Sequence, residues 1–228
     1  MKILGIETSS TVFSLSVNED ERLVCEIKRE RQLHGGSRDA GLFAEAKRLV
    51  NEFDEGEIKA LAISIGPGMF TSLRVGLSLA KGLALAQRIP AVAVNTLDLI
   101  GIPLSFTHEP VIAVINAFQK EIYTAVYEGG KRTSAYELTR PDIILDRIQG
   151  NTIIAGSGVE VFREQGLATN SEKLIFLAED FVLPSATKLV IIALPRIKAK
   201  DFDDLEVLEP FYIKKTDAER NYNKTNAL

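Results

Sequence analysis

The stretch Gly66-Pro67-Gly68-Met69-Phe70-Thr71-Ser72-Leu73-Arg74-Val75-Gly76 constrains the fold of this chain more than any other. Ahead of it, Ala60-Leu61-Ala62-Ile63-Ser64-Ile65 is a short apolar run of the kind that forms a buried strand. Behind it, Phe70 to about Ala86 contains no proline and reads as a helix. Gly66, Pro67 and Gly68 are therefore a strand-to-helix turn. Proline sets one backbone angle, and the glycines allow left-handed ones. Such a turn aims the free amides of a helix start past the strand end, where an anion can sit. It serves equally well as a tight connection, and its spacing matches neither the Walker nor the dinucleotide fingerprint. We expect Gly66, Pro67 and Gly68 to matter for shape.

Within the helix, Ser72, Gly76, Ala80 and Ala84 recur every four residues and share one face. A ridge this low lets another helix approach closely. Glycine inside a helix costs about 1 kcal/mol against alanine, so Gly76 and Gly82 need a reason, and close packing supplies one. The packing partner is either this chain or another protein.

The 228 residues suit one or two small lobes with a proper core. Charged residues are 25% and the net charge is −4, so nothing global advertises nucleic-acid binding. The start, Met1-Lys2-Ile3-Leu4-Gly5-Ile6-Glu7, turns polar too early for a signal peptide, and no apolar run is long enough to span a membrane. A cytoplasmic protein is expected. The single cysteine, Cys25, excludes an internal disulfide and a multi-cysteine metal site. His34 and His108 form no close pair, and a transition-metal site takes three or four ligands. They read as surface or hydrogen-bonding residues. No Gly-x-Ser-x-Gly elbow supports a serine hydrolase.

In chain order, residues 2–7, 12–17 and 22–29 read as strands. Ser37, with Asp39 after it, reads as a helix cap, and Leu42, Phe43, Ala46, Leu49, Val50 and Phe53 give the helical period. The central strand, turn and helix follow, then a strand at 91–94 and a short helix at 96–101. The pattern then restarts. Strands are expected at 111–116, 122–127 and 133–138, helices at 142–148 and 158–165, a strand at 152–155 and a helix at 184–194 capped by Ser185. A single ungapped offset lays Asn116 on Glu7 and Ile122 on Phe13, a sign of a duplicated β-β-β-α-β-α unit. The boundaries expected are a first lobe at 1–103, a reduced second lobe at 104–208, and a segment at 209–228 that returns to the body and ends in a mobile tail.

A duplicated unit with hairpin starts is the plan of the α/β, two-lobed actin, sugar-kinase and Hsp70-like fold, an analogy that proves no activity. Such proteins grip phosphates between two hairpin turns and hold a metal with acidic strand ends. Here those positions are Glu7, Thr8 and Ser9 on one side and Asn116 on the other, so the carboxylate pair is half missing. The second turn, Ala117-Phe118-Gln119-Lys120, lacks glycine to admit a phosphate.

Residues 3–9, 65–76, Val114-Ile115-Asn116-Ala117 and Glu209-Pro210-Phe211-Tyr212-Ile213 together resemble the TsaB (YeaZ) family over nearly the whole chain. Its usual central motif, Gly-Pro-Gly-Ser-Phe-Thr-Gly-Leu-Arg, is matched except at Met69 and Ser72, and Glu7 and Asn116 stand where aspartates are usual. The resemblance implies a non-catalytic partner of TsaD in making N6-threonylcarbamoyladenosine beside the tRNA anticodon. It implies no catalytic residue, metal or tightly bound cofactor in this chain, ATP being used by the complex. It implies pairing with TsaD through first-lobe helices, TsaE as a further partner, and tRNA reached only through the complex, and it leaves both a homodimer and a monomer open for the chain alone. Ser72, Gly76, Ala80 and Ala84, with Leu42, Ala46 and Leu49 beside them, are the expected partner interface. The alternatives are a small-molecule kinase or ATPase of the same fold, which needs the missing carboxylate, and a peptidase, which needs a metal or an activated nucleophile.

Overall fold

The computed structural model describes residues 1–30, 40–54, 56–168 and 173–213. His34, Ser37, Asp39 and the tail beyond residue 213 lie outside them. The first half builds β1 (Lys2–Glu7), β2 (Val12–Glu19), β3 (Arg22–Glu30), α1 (Ala40–Val50), β4 (Ile58–Ser64), α2 (Phe70–Gln87), β5 (Ala91–Val94) and α3 (Thr96–Leu104). The second builds β6 (Val111–Asn116), β7 (Ile122–Glu128), β8 (Lys131–Arg132), β9 (Glu137–Thr139), α4 (Pro141–Arg147), β10 (Thr152–Ala155), α5 (Val159–Glu164), β11 (Leu174–Leu177), α6 (Glu179–Val182) and α7 (Ala186–Lys198).

The strands form two sheets of like plan. The first runs β3-β2-β1-β4-β5, with β1–β2 antiparallel and β1–β4 and β4–β5 parallel. The second runs β11-β10-β6-β7-β8, with β9 also on β7. The ungapped duplication expected from the sequence needs correction. Glu7 pairs with Ser14, whereas Asn116 pairs with Ile122, so the second hairpin closes one residue sooner and the ungapped offset ends at the first strand.

Alternation along each strand assigns its two faces. Leu4, Ile6, Leu61 and Ile63 pack under α1 and α2, while Ile3, Ala60 and Ala62 pack against α7. In the second sheet, Ile112, Val114 and Ile154 pack with Val159 and Phe162 of α5, while Val111, Ala113 and Ala155 pack with Leu97 and Ile100 of α3. The two halves thus exchange their last helices: α3 of the first covers the second sheet, and α7 of the second covers the first. A division at residues 103 and 104 assigns each helix to its own half, but packing assigns each to the opposite sheet. The reason is local: each sheet has one face left bare by its own helices, and burying it gains about 1.5–3 kcal/mol per large apolar side chain.

Several elements differ from expectation, among them α3, which runs on to Leu104 rather than ending at residue 101, and α6, which was not expected. The strand expected at 133–138 is split into β8 and β9, both on β7. The run Leu174-Ile175-Phe176-Leu177 adds β11 at the edge, parallel to β10. Helix α7 does not stop before Pro195. Pro195 sits in its last turns, Ala199 N donates to Pro195 O at 3.0 Å, and Arg196 is tied to Asp201 and Asp203. Its start is capped by Ser185 Oγ, which accepts from Lys188 N at 3.3 Å. Asn95 caps α3 in the same way, accepting from Leu97 N at 2.9 Å.

Candidate functional site: the cleft between the hairpin turns

Glu7 ends β1 with its side chain fully buried. Its Oε1 accepts from Ser9 N at 2.7 Å, from Ser9 Oγ, and from Ser64 Oγ at 3.1 Å. The carboxylate therefore points into the protein and ties the first turn to β4. Thr8 is fully buried as well, with its N donating to Ser64 Oγ at 3.3 Å. Of the four positions named from sequence, Ser9 and Asn116 line the cleft, while Glu7 and Thr8 do not. Asn116 bonds its own turn: its Oδ1 accepts from Phe118 N at 2.8 Å, and its N donates to Ser157 Oγ at 3.2 Å.

The turn at Gly66, Pro67 and Gly68 packs beside this first turn, with a cis Gly66–Pro67 peptide. Gly66 has φ +104°, in the left-handed region. Gly68 does not; it is needed because a Cβ there would collide with the Ser9 backbone oxygen. Met69 N donates to that oxygen at 2.8 Å.

The small ridge of α2 turns inward. A Cβ at Gly76 would overlap the Thr8 hydroxyl, so the glycine expected to admit a helix admits the first hairpin turn instead. Ser72 and Ala84 are each 2% exposed and Ala80 is fully buried, as is Leu42; Ala46 and Leu49 are each 1% exposed. Ala80, Leu42, Ala46 and Leu49 belong to one core cluster. The seven residues expected at a partner interface are thus interior, because small side chains let α2 lie close to its own sheet. The outward face of α2 carries Thr71, Arg74, Ser78, Gly82 and Leu85, and that of α1 carries Phe43. Leu85 is 81% exposed and Phe43 49%. Tyr212 stacks on Phe70 at the start of α2, at 5.2 Å between ring centres, and its hydroxyl accepts from Arg74 Nε at 2.8 Å. Phe211 N donates to Ile65 O at 2.7 Å, and its ring meets Tyr136 of the second half at 5.4 Å.

Sequence reasoning missed the junction between the halves. Asp98 of α3 accepts from the hydroxyls of Tyr127 at 2.8 Å and Tyr136 at 2.8 Å. Burial pushes the Asp98 carboxyl up, against the pull of both hydroxyls and of Arg132. Burial likewise pushes both tyrosines up. An acidic residue in the first turn of a short apolar helix was the available signal. His108 is exposed and lines a separate groove with Glu109, Glu128 and Glu137. No group of three metal-ligating side chains occurs among the described residues. Burial raises the pKa of the half-buried Cys25 thiol.

Two sheets of like topology, with paired hairpin turns facing across a cleft, define the two-lobed actin, sugar-kinase and Hsp70-like class. A family model for TsaD, tRNA N6-adenosine threonylcarbamoyltransferase, matches residues 44–222. The tRNA threonylcarbamoyladenosine biosynthesis protein TsaB of Escherichia coli is 29% identical over 170 residues, 69% of this chain and 71% of that protein. The tRNA N6-adenosine threonylcarbamoyltransferase of Dehalococcoides mccartyi is 39% identical over 112 residues, 42% of this chain and 34% of that protein. YeaZ from Pseudomonas aeruginosa shares the fold with a TM-score of 0.74 at 20% identity, covering 92% of this chain and 99% of that one. The chain belongs to the tRNA N6-adenosine threonylcarbamoyltransferase family, in its TsaB (YeaZ) branch.

Proposed function

We propose that this chain is a non-catalytic subunit of the assembly that forms N6-threonylcarbamoyladenosine in tRNA, and that it supports a TsaD-type transferase by binding it. The observation that carries this reading is Glu7. In its fold class the strand-end carboxylate faces the cleft; here it is consumed by three internal hydrogen bonds. The opposite strand end offers Asn116, an amide, which supplies no second charge for a metal. On this reading ATP is used elsewhere in the complex by a TsaE-type member, tRNA is reached through the partner, and the site of action is the cytoplasm. No helix among the described residues is long and apolar enough to cross a membrane.

The surface that suits a partner helix is the outward face of α1 and α2, with Phe43 and Leu85 as apolar anchors and Ser78 and Gly82 between as low ground. The same face can serve a two-fold contact when the chain is alone. Reconstituting tRNA modification with TsaD and TsaE, with and without this chain, tests the role. Modification should depend on the chain, and Leu85→Glu with Ser78→Arg should abolish co-elution with TsaD while the lone protein stays folded by circular dichroism. Modification at full rate without the chain overturns the proposal.

A further inference from the structure

On the outward side of α2 a pocket of about 340 Å³ lies between the helix and the segment 208–212. Arg74, Ser78 and Lys81 line it from the helix, and Pro210 and Tyr212 from the segment. Arg74 and Lys81 are the only charged residues of α2, two helical turns apart on one face. Arg74 is held in place. Its Nε donates to the Tyr212 hydroxyl at 2.8 Å, and its guanidinium lies 4.0 Å from the centre of the Phe70 ring and 5.8 Å from that of Tyr212. Its two terminal nitrogens donate to no described residue. Lys81 is half-buried and has neither a hydrogen-bond nor an ion-pair partner among the described residues. A cation partly withdrawn from water without a counter-charge is costly.

The charges nearby select the anion. Glu209 also lines the pocket, exposed and in no ion pair with Arg74 or Lys81, and Asp204 and Glu206 are exposed just before it. These three carboxylates repel a row of phosphates, as does the net charge of −4. A single carboxylate is short enough to meet the two cations alone. Its planar shape also matches the fork of terminal N–H groups that a fixed guanidinium presents. Arginine and tyrosine are among the residue types that dominate binding energy between proteins. A two-fold contact reuses one patch, so it sets cations against cations and leaves the pocket without an anion.

We propose that this pocket receives an aspartate or glutamate side chain from the TsaD-type partner, held by the terminal nitrogens of Arg74 and by Lys81 Nζ. The contact rests on the reading of α2 as the partner's face, and it supplies the chemistry by which that face selects a partner over a second copy of this chain.

Calorimetric titration of TsaD into the full chain, at low and at high salt, tests this. Affinity should fall with salt. Lys81→Glu should weaken binding about tenfold or more and flatten the salt dependence, and Lys81→Arg should retain most of the affinity. Arg74→Lys keeps the charge, loses the fork, and should weaken binding several-fold. Should Arg74→Lys also free Tyr212 and lower the melting temperature, Lys81→Glu carries the test, since Lys81 holds no described residue. When the Asp and Glu residues of TsaD are changed one at a time to the amide, one should cost as much as Lys81→Ala and add nothing to it. If TsaD binds with an affinity that neither salt nor the Arg74 and Lys81 variants move, or if no carboxylate of TsaD couples to Lys81, this proposal falls while the scaffold role stands. If TsaD does not bind the wild-type chain, both fall. Binding of tRNA by the lone chain that Lys81→Glu abolishes assigns the pocket to a nucleic acid and overturns the proposal as well.

Discussion

The turn after β1 and the turn after β6 occupy like places in like hairpins, yet they are held in opposite ways. At the first, Glu7 gathers donors from Ser9 and Ser64, the Ser9 carbonyl takes the Met69 amide, and Gly68 and Gly76 let the neighbouring turn and helix close in. At the second, Asn116 bonds its own loop, and Phe118, Gln119 and Lys120 follow with φ of 58°, 55° and 66°. Three successive non-glycine residues in the left-handed region each cost about 1–2 kcal/mol. Phe118 at the tip is 72% exposed. A carboxylate has lone pairs for several donors at once; an amide offers one oxygen and spends its nitrogen as a donor. Glutamate at one strand end thus goes with a turn fused into the core, and asparagine at the other with a more exposed turn that walls a cavity.

The largest expected effect breaks the closed side. Ala80 is fully buried between α2 and the first sheet. Ala80→Arg should destabilise the lone chain by about 3–5 kcal/mol, the scale for an uncompensated buried charge. Urea unfolding measures it, and an unchanged midpoint would mean that the ridge does not face the core after all.

The junction between the halves is tested by pH. The folded-state pKa of Asp98 lies above its unfolded value, with burial the main cause. Between those two values the folded protein holds a proton that the unfolded chain releases. Stability should therefore fall as pH rises from the ordinary carboxylate range through the raised pKa, and the full contribution is present only below the unfolded value. Asp98→Asn should remove that decline, so the two proteins' urea midpoints converge or cross as pH rises. Parallel midpoints across the acidic range would show that Asp98 does not titrate differently on folding.

The smallest effects sharpen the contrast between the turns, since glycine should act with opposite sign in each. Ser9→Gly removes a donor from a buried carboxylate and should cost about 2 kcal/mol. Lys120→Gly relieves a left-handed residue and should gain up to about 1 kcal/mol. Paired thermal melts decide it; two changes of the same sign would make the turns equivalent.

How far the site was legible depends on what each residue had to meet. The strands at 91–94, 111–116 and 152–155 have the bounds expected from their apolar runs. A four-residue apolar run flanked by breakers has few other solutions. The cleft positions Ser9 and Asn116 were legible because strand ends and hairpins are local. Glu160, Glu179 and Thr96 were not, because they line the same cleft from three helices far apart in the chain. Asp98 carried only the weak signal of a charge in an apolar helix, and its partners Tyr127 and Tyr136 come from the other half.

By itself the sequence determined that there are two sheets, each begun by a hairpin, and that α2 has one face with almost no side chain. Those are statements about neighbours in the chain, where spacing and residue type act directly. Only the tertiary structure decided what meets that face. A ridge of Ser72, Gly76, Ala80 and Ala84 is as suited to a sheet and a hairpin turn as to a foreign helix, since van der Waals packing rewards closeness without regard to the origin of the atoms. The exchange of α3 and α7 between the sheets was settled the same way. An apolar stripe reports that a face must be buried, and the bare sheet face within reach of the folded chain determines where.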